Sequence, residues 1–161
     1  MSTNTYMQIE PIKGESTDDA HKDWVEVLSF NHAVSQPVSG PSGTGGRAAA
    51  RADFSPIIVT KLVDKASVDL NLYCAQGKHI AKLVLDVCQE SGEKVCVWKY
   101  ELENVMVSSV TVGGGGSERP TETVSFVYDI ISWTYNAVKN DGSAGDKAGP
   151  KKWNLQTNKA E

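Results

Sequence analysis

Apolar and polar residues alternate with a period of two along much of this chain. The clearest run spans positions 98–103, where the even positions are Trp98, Tyr100 and Leu102 and the odd positions are Lys99, Glu101 and Glu103. A strand with this pattern turns one face to a core and the other to solvent or to a wet lumen. The pattern therefore predicts antiparallel β-structure.

A second alternating run lies just before the first. The odd positions of this run are Ala81, Leu83, Leu85 and Val87, and the even positions between them are Lys82, Val84, Asp86 and Cys88. A turn-forming stretch at positions 90–93 (ESGE) separates the two runs. We therefore predict a β-hairpin over residues 80–103.

Two strands change phase partway along their length. Val25 and Val27 face one way, after which Leu28, Phe30 and Val34 take over the apolar role. A later strand changes in the same manner, from Val124, Phe126, Tyr128 and Ile130 to Ile131, Trp133 and Tyr135. Such a one-residue slip is typical of a β-bulge or a barrel corner, so a curved, closed sheet is favoured over a flat one.

One short helix interrupts the strands. Ser67 is a plausible N-cap, Asp69 lies in the first turn, and Gly77 is placed to end the helix. Val68, Leu72 and Ala75 fall at helical spacing between them. The fold class predicted is mainly β, a closed antiparallel β-barrel of two packed sheets, with this helix packed on one opening or flank.

Three segments are predicted to be loops. Residues 35–51 carry two prolines and four glycines, and a loop this long in a compact β domain is either disordered or ordered by a partner. Residues 113–117 (GGGGS) form a shorter connector, and residues 140–150 form a polar, glycine-rich excursion before Trp153. Residues 1–161 are thus predicted to be a single domain with one extended loop at 35–51.

The composition excludes several classes of function. The chain has 161 residues and a formal net charge of -4, and its 16 Lys and Arg residues form no basic stripe, which argues against nucleic-acid binding. Neither a secretory signal nor a membrane-spanning run is evident, so we expect synthesis in the cytosol and no membrane insertion. An odd number of cysteines argues against a disulfide framework.

Candidate sites for catalysis and cofactors are weak. Residues 43–48 (GTGGRA) fit a dinucleotide-binding pattern but lack the strand-to-helix context, and residues 40–47 lack the ending of a P-loop. The carboxylates of Glu101 and Glu103 share one strand face and could act as a glycosidase pair, although a solvated face explains them equally well. No cofactor and no enzymatic activity are expected.

Structural roles are expected for the histidines and cysteines. His21, His32 and His79 each lack a second ligand at i+3 or i+4, so any metal site would have to be assembled through space. His21 lies among Asp18, Asp19 and Asp23, where hydrogen bonds from its ring would fix a turn, and His79 follows the helix exit, where a cation complements the helix dipole. Cys88 and Cys96 could face each other across the hairpin, with buried thiols the commoner outcome and a disulfide the alternative.

Short motifs along the whole chain resemble the haemolysin-coregulated protein family, the tube-forming, secreted ring proteins of type VI secretion systems. The matching pieces are residues 13–16 (KGES), His21, residues 60–67 (TKLVDKAS), 77–79 (GKH), 107–110 (VSSV), the glycine run with 118–122 (ERPTE), 149–150 (GP) and 153–154 (WN). Their order and spacing are specific, although no single motif is a chemical signature.

The resemblance implies a phage tail-tube-like barrel, hexameric rings and rings stacked into a tube beneath a spike protein, inside a contractile sheath. It implies expulsion to the extracellular space or a target cell without a signal peptide, and small effector proteins carried in the lumen. Ring stacking would fall to the long loop, at Gly40, Ser42, Gly43, Thr44, Gly45 and Arg47. The lumen and effector contact would fall to Asn31, beside His32. A C-terminal toxic enzyme domain, present in some members, is not expected.

Three alternatives remain open at this point. The first is a tail-tube subunit of a phage-like contractile particle, which shares the architecture but not the export. The second is a monomeric carbohydrate-binding β-barrel that uses Trp24, Trp98 or Trp133 as a stacking platform. The third is a hydrolase whose nucleophile and base converge only in space.

Overall fold

A computed structural model describes residues 2–38, 49–91 and 93–161 of the chain. The fold is mainly β with one short helix, as the alternation predicted. The strands are β1 (Ser2–Ile9), β2 (Val25–Val27), β3 (Ser29–Asn31), β4 (Val34–Ser35), β5 (Asp53–Phe54), β6 (Ile57–Leu62), β7 (Ile80–Ser91), β8 (Glu93–Gly113), β9 (Thr121–Val138), β10 (Ala144–Asn154) and β11 (Lys159–Ala160). The helix, α1, spans Ala66–Gln76.

The main sheet is antiparallel throughout. Its order is β11-β10-β9-β8-β7-β1-β2, and β6 pairs with both β9 and β3. This strand order is open at β2 and β11, so it does not by itself confirm the closed barrel that was predicted. A separate ladder joins β4 to β5.

The segment 25–31 is divided between two pairing partners. Its first half, β2, pairs with β1, and its second half, β3, pairs with β6. Between the halves, the backbone N–H of Leu28 donates to the carbonyl oxygen of Thr60 at 2.8 Å. Val25 and Val27 are buried, whereas Leu28 and Val34 are 61% and 48% exposed. The predicted phase change is present, but these last two side chains point to solvent and only Phe30 continues the core.

The predicted hairpin over residues 80–103 is confirmed by the pairing of β7 with β8. The second predicted phase change is present at Tyr128 and Ile131, which are both buried three positions apart, but Tyr135 at the end of the predicted apolar set is 46% exposed. Opposite this point, Asn104 of β8 has a φ of 52°, in the left-handed region that asparagine tolerates. Its side-chain amide donates to the carboxylate of Asp129. Both strands therefore turn a new face to the core at the same level.

One apolar core lies between the inner face of the sheet and α1. Its fully buried members are Met7, Ile9, Val25, Ile57, Val59, Ala66, Leu70, Ile80, Leu83, Leu85, Leu102, Val105, Val124, Phe126 and Ile131. Each large aliphatic or aromatic side chain removed from water in this way contributes about 1.5–3 kcal/mol. These contacts fix the relative positions of the strands that carry the surfaces described below.

The helix differs from its prediction in two respects. Ser67 is not the N-cap: it lies inside the helix and is buried, while the Asp64 carboxylate accepts the Ala66 N–H at 3.0 Å. The core-facing side chains are Ala66, Leu70 and Tyr73, so the predicted apolar set is turned outward. Gly77 ends the helix as predicted, with a φ of 63°. No helix in the three described ranges is long and apolar enough to cross a membrane.

The polar segment before Trp153 is mostly strand rather than loop. β10 begins at Ala144 and pairs with β9, with register shifts between Ala144 and Lys147 and between Ala148 and Lys151. The strand was not predicted because its glycines and its irregular pairing interrupt the simple alternation of apolar and polar residues on which the prediction depended. The connector at 113–117, in contrast, lies between β8 and β9 as predicted.

Candidate functional site

A row of aligned residues crosses four strands around Asn31. Asn31 of β3 pairs with Ile58 of β6, Ile58 pairs with Ser125 of β9, and Ser125 pairs with Ser109 of β8. Directly opposed residues in antiparallel strands project to the same face of the sheet. The neighbouring positions Phe30, Val59 and Val124 face the core, so the row around Asn31 lies on the outer face.

A second row runs parallel to the first, two residues along each strand. It joins Ser29, Thr60, Thr123 and Thr111. Together the two rows form a surface that we call the hydroxyl face, composed of Ser29, Asn31, Ile58, Thr60, Ser109, Thr111, Thr123 and Ser125. None of these eight side chains is charged. All are exposed or half-buried.

A bulge in β8 keeps the hydroxyl face in register. The pairing of β8 with β9 shifts between Val107 and Ser109, and the extra residue is Ser108. The hydroxyl of Ser108 donates to the carbonyl oxygen of Ser125 at 3.1 Å. This geometry gives a physical reason for the serine pair in the motif at 107–110, since one serine fills the bulge and the other returns to the outer face.

The residues predicted to stack rings, Gly40, Ser42, Gly43, Thr44, Gly45 and Arg47, lie outside the described residues. The base of their loop is described. β4 pairs with β5, Val38 bridges to Ala49, and the Ala50 N–H donates to the Pro37 carbonyl at 3.3 Å. An antiparallel stem therefore leads out to residues 39–48 and back.

Several apolar side chains are exposed on the single subunit. On α1, Val68 and Leu72 lie one turn apart and are 73% and 49% exposed, the opposite of the packing role that their helical spacing predicts. The other large examples among the described residues are Leu28, Val34, Val38, Ile58, Leu62, Val112, Val127 and Tyr135. Apolar surface of this kind marks contact sites for other protein surfaces when it is contiguous.

His21 is buried in a polar cluster with Asp18 and Asp86. Its Nδ1 lies 2.8 Å from Asp18 Oδ2, as predicted, and its Nε2 lies 3.0 Å from Asp86 Oδ2, which the sequence did not indicate. The ring stacks on Tyr6 with centroids 4.4 Å apart and meets the edge of Trp24. The Lys94 ammonium, which hydrogen-bonds Asp18, lowers the pKa of that carboxyl to about 2, with a smaller contribution from His21.

Cys88 and Cys96 face each other across the hairpin and form a disulfide. The expectation that the thiols stay free is therefore wrong in this structure. A register shift between Val87 and Cys88 brings the two cysteines opposite one another. Their sulfur atoms lie 3.8 and 3.9 Å from His21 Nε2. The third cysteine, Cys74 of α1, is a free thiol.

A second buried polar cluster surrounds Lys61 of β6, whose side chain is fully buried. Its ammonium contacts Glu122 Oε1 and lies 3.0 Å from Asp64 Oδ1 and 3.2 Å from Ser67 Oγ. The Ser67 hydroxyl also donates to Glu122 Oε1 at 2.6 Å. This network ties β6, β9 and the start of α1 together, and it explains why Ser67 is buried rather than capping the helix.

His32 and His79 have hydrogen-bond partners in the fold. His32 Nε2 lies 2.6 Å from the Tyr128 hydroxyl, which itself donates to the Ser55 carbonyl at 2.8 Å. Burial lowers the pKa of His32 and, together with Tyr100, raises the pKa of Tyr128. His79 Nδ1 lies 2.8 Å from Asn104 Oδ1. Its position after α1 was predicted, but its contact is with β8.

The residues considered for carbohydrate or glycosidase chemistry are engaged in other contacts. Lys82 lies 3.7 Å from Glu101, and Lys152 lies 3.2 Å from Glu103. Trp24 packs against His21, Trp98 against Tyr100, and Trp133 against Phe54. These ring contacts use aromatic surface that a sugar-stacking platform would need.

Comparison with known proteins gives one consistent result. Residues 6–135 match a family described as type VI secretion system effector, Hcp. The chain is 33% identical over 162 residues to Protein hcp1 of Pseudomonas aeruginosa, with 98% of each chain covered. It is 27% identical over 168 residues to the Major exported protein of the same organism, with 89% of this chain and 95% of that protein covered.

A solved structure agrees with the sequence matches. A structure described as that of a type six secretion system protein superimposes with a TM-score of 0.95 at 40% identity. The superposition covers 99% of this chain and 100% of that one. The strand order, the helix and the loop stem described above therefore belong to a fold already seen in that secretion system.

Proposed function

The chain belongs to the Hcp family of type VI secretion system proteins, and we propose that it is a structural subunit that closes into hexameric rings. The rings stack into the inner tube of the secretion apparatus. The tube lies inside a contractile sheath, beneath a spike protein, and sheath contraction expels it. The work of transport then comes from the sheath, and this chain contributes shape and contact surfaces rather than a reaction.

The observation that carries this proposal is the hydroxyl face. It extends over β3, β6, β9 and β8, presents Ser, Thr and Asn side chains, and contains no charge. A sheet with one apolar face in a core and one polar face in water is an ordinary antiparallel arrangement. A polar face without charges over four strands suits the wall of a passage, because small hydroxyl groups hydrogen-bond to water and to a passing protein without holding either by ionic attraction.

Closure of the barrel is the second part of the proposal. The segment 25–31 pairs with β1 through Val25–Val27 and with β6 through Ser29–Asn31. If the two halves are counted as one bent strand, the pairing runs in a circle through β1, β7, β8, β9 and β6. We assign Leu28, whose N–H donates to Thr60, as the corner of that circle.

Ring closure needs a heterologous interface, in which one flank of a subunit meets a different flank of its neighbour. The exposed apolar side chains support such contacts. Leu28 follows β2, Leu62 ends β6, and Val68 and Leu72 lie on α1. Exposed apolar side chains of this kind would be covered by the neighbouring subunit when the ring closes.

Stacking of rings is assigned to the loop carried by the β4–β5 stem. The contacting residues proposed are Gly40, Ser42, Gly43, Thr44, Gly45 and Arg47, as the family resemblance implies. A glycine-rich segment that orders on contact forms weak, reversible joints, because the lost conformational entropy offsets part of the contact energy. Reversible joints suit a tube that assembles and later falls apart.

Export and cargo complete the proposal. A relative of this chain is named the Major exported protein, which supports release of the product from the cell. Small effector proteins would lie in the lumen, in contact with the hydroxyl face at Asn31. The route through the tube needs no secretory signal at the N-terminus.

Size-exclusion chromatography with light scattering, followed by negative-stain microscopy, tests the proposal directly. We expect a particle with the mass of a hexamer and ring-shaped images with a central opening. A monomer at high protein concentration would contradict it and would favour the carbohydrate-binding alternative. Rings that are never released from producer cells would instead favour a tail-tube subunit of a phage-like particle.

A further inference from the structure

The fold brings together four side chains that are typical zinc ligands. His21 comes from the turn after β1, Asp86 and Cys88 from β7, and Cys96 from β8. One donor atom from each of the four lies within 4.8 Å of the other three. Three of the side chains are buried and Cys96 is half-buried. Local patterns along the chain do not indicate this set, because its members are separated by up to 75 positions.

We propose that the reduced form of this protein binds one Zn²⁺ at His21, Asp86, Cys88 and Cys96, and that formation of the Cys88–Cys96 disulfide expels the ion. Two thiolates, one imidazole and one carboxylate are donors that tetrahedral zinc accepts. Cys88 and Cys96 then either form the disulfide or bind the metal, but not both at once.

The distances fit a tetrahedron. Zinc bonds of about 2.0–2.3 Å give ligand-to-ligand edges of about 3.3–3.8 Å. His21 Nε2 already lies 3.8 Å from Cys88 Sγ, 3.9 Å from Cys96 Sγ and 3.0 Å from Asp86 Oδ2. The edge from Nε2 to Asp86 Oδ2 must lengthen slightly. The edge between the two sulfur atoms must open most, and reduction of the disulfide removes the bond that holds it short.

The surroundings of His21 match those of a metal-ligating histidine. Its Nδ1 lies 2.8 Å from the Asp18 carboxylate, which leaves Nε2 facing Asp86 Oδ2 and the two sulfur atoms. A carboxylate on the second ring nitrogen is the usual orienting partner of a zinc-bound imidazole. Stacking on Tyr6 and the edge contact with Trp24 hold the plane of the ring. Lys94 bonds Asp18 in turn.

An independent observation points to a ligand at Asp86. Its side chain is buried, and within the described residues its Oδ1 accepts no hydrogen bond. The ammonium of Lys99 lies 3.9 Å from this atom, beyond hydrogen-bonding range. A buried carboxylate with one oxygen lacking a donor retains poorly compensated negative charge, and a cation bound at Oδ2 would offset that charge.

Release of the ion is a balanced reaction with a low-molecular-weight disulfide as oxidant. The Cys96 thiolate attacks that disulfide, one small thiol leaves, and the Cys88 thiolate then displaces the second small thiol. The protein loses two electrons and gains the Cys88–Cys96 bond. The small disulfide gains those electrons and becomes two thiolates, which take two protons from water, and Zn²⁺ leaves without changing its oxidation state. Cys96 is the half-buried thiolate, so it is the accessible attacking group.

The test uses the full chain, reduced under anaerobic conditions and titrated with Co²⁺ as a spectroscopic substitute for zinc. We expect one equivalent to bind, with a thiolate-to-cobalt charge-transfer band and the ligand-field intensity of a tetrahedral site. Added Zn²⁺ should displace the cobalt. Oxidised glutathione should then release the metal, which a colorimetric chelator measures, and the disulfide should appear in non-reducing mass spectrometry.

Variants separate the site from adventitious binding. Cys96→Ser should lose stoichiometric cobalt binding, whereas Cys74→Ser, which removes the thiol outside the cluster, should bind as the parent does. Asp18→Asn keeps all four donors and should weaken binding about 10–100-fold, as loss of an orienting partner does. Circular dichroism and particle mass check that each variant is folded. Reduced parent protein without a charge-transfer band, or a Cys96→Ser protein that binds cobalt equally well, would overturn the proposal.

Discussion

Lys61 and Glu122 pair their charged groups inside the fold, with both side chains 0% exposed. The pair joins β6 to β9, and Asp64 and Ser67 extend it to the start of α1. Both charges have left water completely, so their mutual contact and their hydrogen bonds must offset a large desolvation penalty. Removing Lys61 therefore leaves the buried Glu122 carboxylate without its countercharge.

Lys61→Met is expected to lower the free energy of unfolding by about 3–5 kcal/mol, the usual result of breaking a buried ion pair. Urea denaturation at fixed protein concentration measures the change. Lys82→Met is the matched control, because Lys82 is 52% exposed and its pair with Glu101 contributes about 0–1 kcal/mol. The double variant Lys61→Met with Glu122→Leu should recover much of the loss. An equal free energy of unfolding for Lys61→Met and the parent would show that the pair of Lys61 with Glu122 does not stabilise the fold.

The pair between His32 and Tyr128 predicts a dependence of stability on pH. Burial lowers the pKa of His32, so the folded state resists protonation that the unfolded chain accepts below its ordinary value of about 6.5. The unfolded state then binds more protons, and the free energy of unfolding falls as pH falls from 7 through that value towards the lower folded pKa. Denaturation curves across this range measure the slope.

His32→Gln keeps a donor for the Tyr128 hydroxyl but cannot titrate, so it should flatten the slope. His79→Gln is the control, because His79 is exposed and bonds Asn104. It should leave the slope unchanged. A steeper slope in His32→Gln than in the parent would reverse the assignment.

Gly14 lies where the backbone of the turn before β2 leaves no room for a side chain. A Cβ at this position would lie 2.3 Å from the Trp24 carbonyl oxygen. The Gly14 N–H also donates to the backbone carbonyl oxygen of Asp23 at 2.8 Å, so the Gly14 backbone cannot move away freely from Trp24. Gly14→Ala is expected to lower the melting temperature and to reduce the free energy of unfolding by about 1–3 kcal/mol.

Gly115→Ala provides the comparison for Gly14→Ala. Gly115 has nothing within 4 Å of an added Cβ. Its substitution should be neutral or stabilising by up to about 1 kcal/mol, through reduced entropy of the unfolded chain. Similar melting temperatures for the two variants would mean that the turn adjusts to the Gly14 side chain.

Asn31→Arg tests the hydroxyl face as a cargo surface. The substitution adds one positive charge per subunit to a surface without charge, away from the core. Rings should persist, while retention of co-expressed effectors should fall at least about tenfold, equivalent to roughly 1.4 kcal/mol of binding free energy. Asn140→Arg, in the exposed turn after β9, is the matched control. Unchanged effector co-purification with Asn31→Arg would remove Asn31 from the cargo surface.

Deletion of residues 40–46 tests the proposed stacking loop while leaving the stem at 34–38 and 49–54 intact. Rings should form with the parent's number of subunits, and tubes seen by electron microscopy should be shorter and fewer. A replacement of the same length by glycine and serine separates loop length from loop sequence. Tubes of unchanged length after the deletion would exclude the loop from stacking.

Much of the fold was predictable because alternation reports directly on strand faces. The hairpin of residues 80–103, the two phase changes and the helix stop at Gly77 followed from local patterns and are present. β10 was missed because its two register shifts break the alternation. The helix face was assigned wrongly because Val68 and Leu72 share the spacing of a buried stripe while Leu70 and Tyr73 contact the core.

The polar clusters could not be predicted because their members are distant in sequence. Asp86 occupies a polar position in an alternating strand, so the pattern assigns it to solvent, yet the turn that carries His21 covers it. Lys61 is charged, which favours an exposed position, yet its side chain is buried on the core face of β6 with Val59. Cys88 and Cys96 were recognisable as facing residues because both are four positions from Gly92.

Several strands of this chain pair with strands that are synthesised much later. β1 is the first strand to leave the ribosome, but one of its partners, β7, begins about 70 positions later, and β6 waits for β9 until residue 121. Until then the nascent chain carries strand edges with no native neighbour, and such edges pair readily with other copies of the same segment. Non-local pairing of this kind folds slowly. We therefore expect self-association of the first half of the nascent polypeptide to limit production at high level.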